Sequence, residues 1–181
     1  MLMALVLYYD IYLEETRERR MTITYEDFLQ TVTLDNHPFV EKLHENFIQH
    51  NCKLEVKEAK QGYVVTYSYM REKKRVALMN YVFRKSGMMV RIYARHISMY
   101  QSVLDSLPES MKKEIGKALD CKRLNGTSQC SPTCTAGYDF IMDKVNYKKC
   151  KNGAFFWKVG TETMEYIKKI VESELKYIDI D

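Results

Sequence analysis

Glycine and proline are scarce in this chain, seven and three of 181 residues, and neither gathers into a tract or recurs at a fixed period. That scarcity excludes collagen-like and low-complexity architectures, and the lack of an internal repeat excludes a solenoid. Long apolar runs are missing as well. The run Met1 to Tyr9 is far shorter than the roughly 20 residues that span a bilayer, so no membrane span is expected. Arg17, Arg19 and Arg20 follow that run instead of preceding it, and no small-residue cleavage site comes after it, the reverse of a secretory signal. The sequence therefore reads as cytoplasmic, and the sequon Asn125-Gly126-Thr127 is discounted because glycosylation belongs to the secretory route.

Catalytic signatures are absent too. There is no G-x-S-x-G nucleophile elbow, no P-loop, no G-x-G-x-x-G and no H-E-x-x-H, which points away from an enzyme. Nor is there a large excess of one charge: 28 Lys and Arg face 24 Asp and Glu, a net of +4, too mild to diagnose a nucleic-acid binder from the total. The distribution says more. Between Met111 and Lys158 ten basic residues stand against four acidic ones, so this segment carries +6 and the remainder −2. A local positive field suits an anionic small molecule, a nucleic acid or an acidic partner, although a solvated lysine face is its commoner origin.

What the chain does have is enough apolar content, 46%, for one sizeable core; a domain of this length buries about 70% of the surface its unfolded chain exposes. Residues 1–20 are set apart as an extra helix or a translation-start extension, because Met21 stands just ahead of a helix start. Thr24 is placed to cap a short helix over 25–32, with Asp27 three residues on. Pro38 suits the first turn of a longer helix whose apolar face is Phe39, Val40, Leu43 and Phe47. From Lys53 to Arg95 the period changes to two, and short polar connectors separate four strands, 53–59, 63–70, 75–84 and 88–95. A helical pair follows over 98–106 and 108–119, then strands over 138–142 and 154–159 with 145–150 offered as a third, and a closing helix over 161–177. The expected class is α+β: an antiparallel meander with helices packed on one face, in a single domain over 21–181.

Four of the five cysteines fall within the stretch 121–150, spaced C-x8-C-x3-C-x15-C. Five is an odd count for a reducing compartment, so free thiols or metal thiolates are favoured over stable disulfides. Zinc takes four soft ligands in a tetrahedron, and Cys130-Ser131-Pro132-Thr133-Cys134 is a tight loop that presents two sulfurs from one side. Cys121 and Cys150 are the distant pair that completes the set. A zinc centre on four thiolates carries a formal −2, which Lys122, Arg123, Lys148, Lys149 and Lys151 are placed to offset. The eight-residue gap before the loop departs from the usual C-x2-C pairs, so this is no named zinc finger. An iron–sulfur cluster uses the same ligand count but tighter runs. Redox chemistry is the other reading, since lysines beside Cys150 favour its thiolate; ordinary core or loop cysteines are the bland one, and Cys52 is read as a small buried hydrophobe.

The run CKRL…C…C…GYDF…YKKC, with the aromatic strand and helix that follow, resembles small uncharacterised proteins of anaerobic bacteria that carry a four-cysteine C-terminal segment. The resemblance covers about the last third of the chain and implies no activity.

Two other constellations are read from spacing. His37, Glu41 and His44 share a helical stripe suited to a divalent cation, though solvated face residues are the commoner origin of that pattern. In the fourth strand Met89, Arg91, Tyr93 and Arg95 share one face while Met88, Val90, Ile92 and Ala94 share the core face. Val76, Leu78 and Val82 alternate with Ala77, Met79, Tyr81 and Phe83 in the strand before, and Tyr63, Tyr67 and Tyr69 share a face of the second strand. Arg91, Tyr93 and Arg95 together with such tyrosines make a surface able to stack an aromatic ring and neutralise a phosphate; cross-strand pairing on a half-exposed sheet is the plainer account. The expected function is a non-catalytic binding or regulatory domain with a four-cysteine zinc knuckle and a basic, aromatic surface for an anionic ligand, the alternative a thiol-based redox enzyme or sensor.

Overall fold

The computed structural model describes residues 23–127, 130–131 and 133–178; the N-terminal stretch 1–20 lies outside them. The first described element is helix α1, Tyr25–Thr31, and it starts as its sequence dictates. The Thr24 hydroxyl accepts the Asp27 N–H at 3.3 Å while the Asp27 carboxylate accepts the Thr24 N–H at 2.8 Å, a reciprocal capping box. A 3-10 turn, Leu34–Asn36, leads into α2, His37–Gln49, with Pro38 in its first turn and Phe39, Val40, Leu43 and Phe47 all buried.

Strands β1 (Lys53–Ala59), β2 (Gly62–Arg71), β3 (Lys74–Arg84) and β4 (Gly87–Ile92) form the antiparallel meander, and β7 (Phe156–Lys158) adds to the far side of β4. The β2–β3 connection is a two-residue turn in which Glu72 and Lys73 both take positive φ, 47° and 64°; this is the handedness that matches strand twist. Helices cover one face. Phe28 of α1 stacks on Tyr81 of β3 with centroids 5.3 Å apart, and Phe47 of α2 stacks on Tyr67 of β2 at 4.1 Å.

Register explains which side chains point where. Tyr67 pairs with Met79, but Ser68 pairs with Ala77, so Leu78 is the extra residue of a β-bulge. The bulge shifts the phase of β3: Met79, Tyr81 and Phe83 face the helices, whereas Arg75 and Ala77 face the other way, with Arg91 and Tyr93. Simple alternation would group Ala77 with Met79 and Tyr81; the bulge separates them. The same register places Tyr67 and Tyr69, both buried, on the helix side, away from Arg91.

Beyond β4 the expected helix over 98–106 divides into a 3-10 turn, Ile97–Met99, and α3, Gln101–Asp105. Tyr100 lies between them at φ −137° because its ring is turned inward, where its hydroxyl donates to Glu174 at 2.6 Å. Helix α4, Glu109–Lys117, is tied to β7 by the Trp157 indole N–H, which donates to the Met111 carbonyl at 3.2 Å. A second, two-stranded sheet follows: β5 (Tyr138–Met142) and β6 (Val145–Lys149), with Phe140 packed on Phe155 at 5.5 Å. The closing helix α5, Met164–Ile178, buries Ile167, Ile170, Val171 and Leu175. It starts three residues later than its cap-like Thr161 suggests; just ahead of it the Thr163 hydroxyl accepts the Gly160 N–H at 3.1 Å and donates to the Lys158 carbonyl at 2.8 Å.

The core face of β4 is Met88, Val90 and Ile92, with Ala94 just beyond it, all buried as the alternation predicts, and Cys52 is buried too. No helix of the described residues is long and apolar enough to cross a membrane.

Candidate anion-binding cleft and its cysteine wall

At one end of the sheet, the tip of the β2–β3 hairpin and the residues after β4 form one wall of a cleft of about 620 Å³. Arg71, Arg75, Val76, Ala77, Tyr93 and Arg95 come from this side. The opposite wall is the end of the cysteine segment, Thr135 to Tyr138, with Lys151 and Asn152. Three Arg and one Lys thus line this space, and among the described residues no Asp or Glu lines it with them. Arg75 and Arg95 are exposed, so a charged head can meet them without first displacing a buried partner. Guanidinium forks match the oxygens of phosphate or carboxylate two at a time, and the Tyr93 and Tyr138 rings add aromatic surface beside them.

Of the residues singled out by sequence, Tyr93 and Arg95 line this cleft. Arg91 does not. Its Nε–H donates to the Asn152 carbonyl at 2.8 Å and its guanidinium lies 4.8 Å over the Phe156 ring, so it anchors a lining residue from behind. Arg71, in the expected connector, and Arg75, at the start of the third expected strand, are not singled out by the sequence reading. Tyr138 looks two ways: burial, followed by the nearby Glu174 and Tyr93, pushes its hydroxyl far above the usual tyrosine range, against the opposing effect of Arg95 and a hydrogen bond to the Ala94 backbone.

The cysteine wall is keyed into the second sheet. Cys121 N–H donates to the Lys148 carbonyl at 2.7 Å and Cys150 N–H to the Leu119 carbonyl at 2.8 Å, so the stretch 119–121 runs antiparallel beside 148–150. Lys149, buried, closes this junction: its Nζ donates to the carbonyls of Gly116 and Ala118 at 2.8 and 2.9 Å, capping the end of α4, and to Asp120 at 2.8 Å. Cys121 is buried, and its Sγ accepts the Gly137 N–H at 3.2 Å. Burial pushes this thiol up, but hydrogen bonds from the N–H groups of Leu124, Gly137 and Arg123, with the Arg123 charge, outweigh it and hold the thiol below its ordinary value. Gly137 is required there, since a Cβ would fall 2.1 Å from the Lys149 carbonyl oxygen and 3.1 Å from Cys121 Sγ.

The other thiols are more open. Cys130 is exposed, and Cys134 and Cys150 are half-buried. Cys134 Sγ donates to the Thr135 carbonyl at 3.2 Å, and its own carbonyl accepts from the Arg123 guanidinium. Lys151 Nζ donates to Thr135 Oγ1 across the cleft wall. No disulfide joins these four cysteines. Among the described residues, no three His, Cys, Asp or Glu side chains gather in an arrangement that holds a metal ion.

The helical stripe is divided by packing. His37 Nε2 bonds the Val32 carbonyl at 3.0 Å, while His44 turns inward, stacked on Tyr25 at 3.9 Å with its Nδ1 2.8 Å from the Tyr67 hydroxyl. Glu41 is exposed. A site missed by sequence reasoning is Glu174 of α5, which is completely buried. It accepts the His96 N–H at 2.7 Å and the Tyr100 hydroxyl at 2.6 Å, and its second oxygen lies 2.9 Å from His96 Nδ1. Its position seven residues after Ile167 and three after Val171 was the available signal, because that spacing puts it on the apolar face.

These two features, the cationic cleft and the buried carboxylate network, belong to a mixed α+β chain with a five-stranded antiparallel sheet and a second, two-stranded one. Compared with known proteins, the chain matches no family model, no curated protein and no solved structure.

Proposed function

We propose that the chain is a non-catalytic cytoplasmic binding domain that takes an anionic ligand in the cleft between the β2–β3 hairpin and the cysteine wall. The observation that carries this reading is that Arg71, Arg75, Arg95 and Lys151 line one space with no Asp or Glu among its described lining residues. Arg75 and Arg95, both exposed, and Lys151 beside them offer an anion charge-assisted hydrogen bonds in exchange for its water. Tyr93 and Tyr138 supply the surface for an organic ring attached to the charged group. Nucleic acid is the polymeric form of the same chemistry.

The reading includes zinc on Cys121, Cys130, Cys134 and Cys150. The sulfur of Cys121, surrounded by backbone N–H donors that favour its thiolate, supports a metal-ligating role. The same donors support the second reading, a redox thiol, and elemental analysis of protein purified without chelator separates the two: one zinc per chain against metal-free protein with a fast-reacting thiol.

Calorimetric titration with myo-inositol hexasulfate, a polyanion that chelates metals poorly, tests the cleft. Binding should weaken with added salt, and Arg75→Ala with Arg95→Ala should lower affinity by tenfold or more, on the order of the ~1.5–3 kcal/mol that a hydrogen bond to a charged group contributes. Absence of binding to the wild type at low salt overturns the reading. A shift assay with single-stranded oligonucleotide tests the polymeric version in the same way.

A further inference from the structure

We infer that β1 pairs with the β1 of a second copy of this chain, joining the two large sheets into one about a two-fold axis at Val56; this does not depend on the cleft. β1 (Lys53–Ala59) is an end strand: β2 lies on one side of it, and among the described residues no strand pairs with the other. Its hairpin closes at Ala59 with Gly62 across a two-residue turn, and the register runs from there to Lys53 with Ser68 without a shift. A pair that closes such a turn exchanges backbone hydrogen bonds, and the exchange recurs at every second residue. Ala59, Lys57, Glu55 and Lys53 therefore direct their N–H and C=O groups to β2. Those of Leu54, Val56 and Glu58 point to the open edge, spaced to receive another strand.

Charge selects the partner and its register. Glu55 and Lys57 flank Val56, both exposed, and within one chain they pair with each other at 3.0 Å. An antiparallel copy related by a two-fold axis through Val56 sets Val56 against Val56 and Leu54 against the second copy's Glu58, with all of their edge-directed groups exchanged. Between these pairs, where side chains stand closest, Glu55 meets the second copy's Lys57 and Lys57 meets its Glu55. An axis through Glu55 or through Lys57 would instead set that residue against its own copy, like charge on like, and an axis through Leu54 or Glu58 shortens the overlap. Charged side chains on an edge strand keep most other strands away; here they exclude the wrong registers and admit one. On the other face Leu54 and Val56, half-buried at the margin of the core, gain apolar cover from the second copy. The contact is isologous, so assembly closes at a dimer.

Sedimentation equilibrium of the full chain from about 1 μM to about 1 mM, the range in which weak interfaces dissociate, should show monomer and dimer and no larger species. Glu55→Lys alone, or Lys57→Glu alone, turns both symmetry-related pairs into like-charge contacts and should weaken dimerisation by about tenfold or more. An equimolar mixture of these two variants restores opposite charges at both positions and should form a heterodimer about as tight as the wild-type dimer. Val56→Pro removes an edge-directed N–H that β2 does not use, at a place where an edge strand tolerates proline, and should give a monomer with the wild-type circular dichroism spectrum. Should that variant not fold, the mixing experiment decides. A wild type that stays monomeric at about 1 mM overturns the inference. So does a dimer indifferent to either charge reversal, a mixture that fails to restore it, or a folded Val56→Pro variant that still dimerises.

Discussion

Glu174 offers the most direct test of how this fold is held. Its carboxylate is fully buried and accepts three hydrogen bonds, two of them from the backbone and ring of His96 and one from Tyr100. Removing it in Glu174→Ala takes away the acceptor that the Tyr100 hydroxyl and the His96 N–H share in a low-dielectric interior. Loss of one partner from a buried charged network costs about 3–5 kcal/mol, a large part of the 5–15 kcal/mol that holds a typical domain. At about 2–4 °C per kcal/mol for a chain of this size, the melting temperature should fall by about 6–20 °C. Glu174→Gln keeps one oxygen for the His96 N–H and Tyr100, and its amide can donate to His96 Nδ1 in the other tautomer. Its cost should be smaller, about 1–2 kcal/mol. Urea unfolding followed by circular dichroism measures both. A loss below about 1 kcal/mol for Glu174→Ala, or equal losses for the two variants, would refute the assignment of this network as a hydrogen-bonded lock between α5 and the segment after β4.

Two further expectations follow from packing and titration. Gly137→Ala should cost about 1–3 kcal/mol through overpacking, because the new methyl meets the Lys149 backbone oxygen and Cys121, whereas Gly116→Ala, with nothing within 4 Å of its Cβ, should be neutral or stabilising; equal melting shifts would refute the clash. Burial first of all lowers the His44 pKa, against smaller opposing effects of Glu26 and Glu45, so the unfolded chain takes up this proton more readily than the folded one. Stability should therefore decline as pH falls below about 6.5, the ordinary imidazole value, and His44→Gln should flatten that decline; identical urea midpoints against pH in wild type and variant would refute it.

Much of the architecture was legible because it is written in local periods. The Thr24–Asp27 box, the apolar stripe Phe39, Val40, Leu43, Phe47 and the alternation Met88, Val90, Ile92 each describe a neighbourhood of a few residues, and each is found where spacing puts it. The cleft was only half legible. Tyr93 and Arg95 were visible from strand alternation, but the charge count drew attention to 111–158, and of the four lining cations only Lys151 falls there. Arg71 and Arg75 come from a hairpin far away in sequence, and nothing local says that Thr135 to Tyr138 folds back across them. Arg91 was placed on the correct side of the sheet, yet the Phe156 ring and the Asn152 carbonyl that hold it arrive with β7, a strand whose partner no local pattern names.

One extra residue in the third strand has a consequence for how tolerant this chain is to length changes. With Leu78 unpaired, a strand that must bury Tyr81 can still present Arg75 to the opposite side. Deleting that single position would leave every other amino acid in place and yet invert the upstream half of the strand, sending the guanidinium toward the greasy interior and Val76 toward the water. The binding surface therefore hangs on a count of residues as much as on their identity, and a one-codon deletion there should be far more damaging than most substitutions nearby.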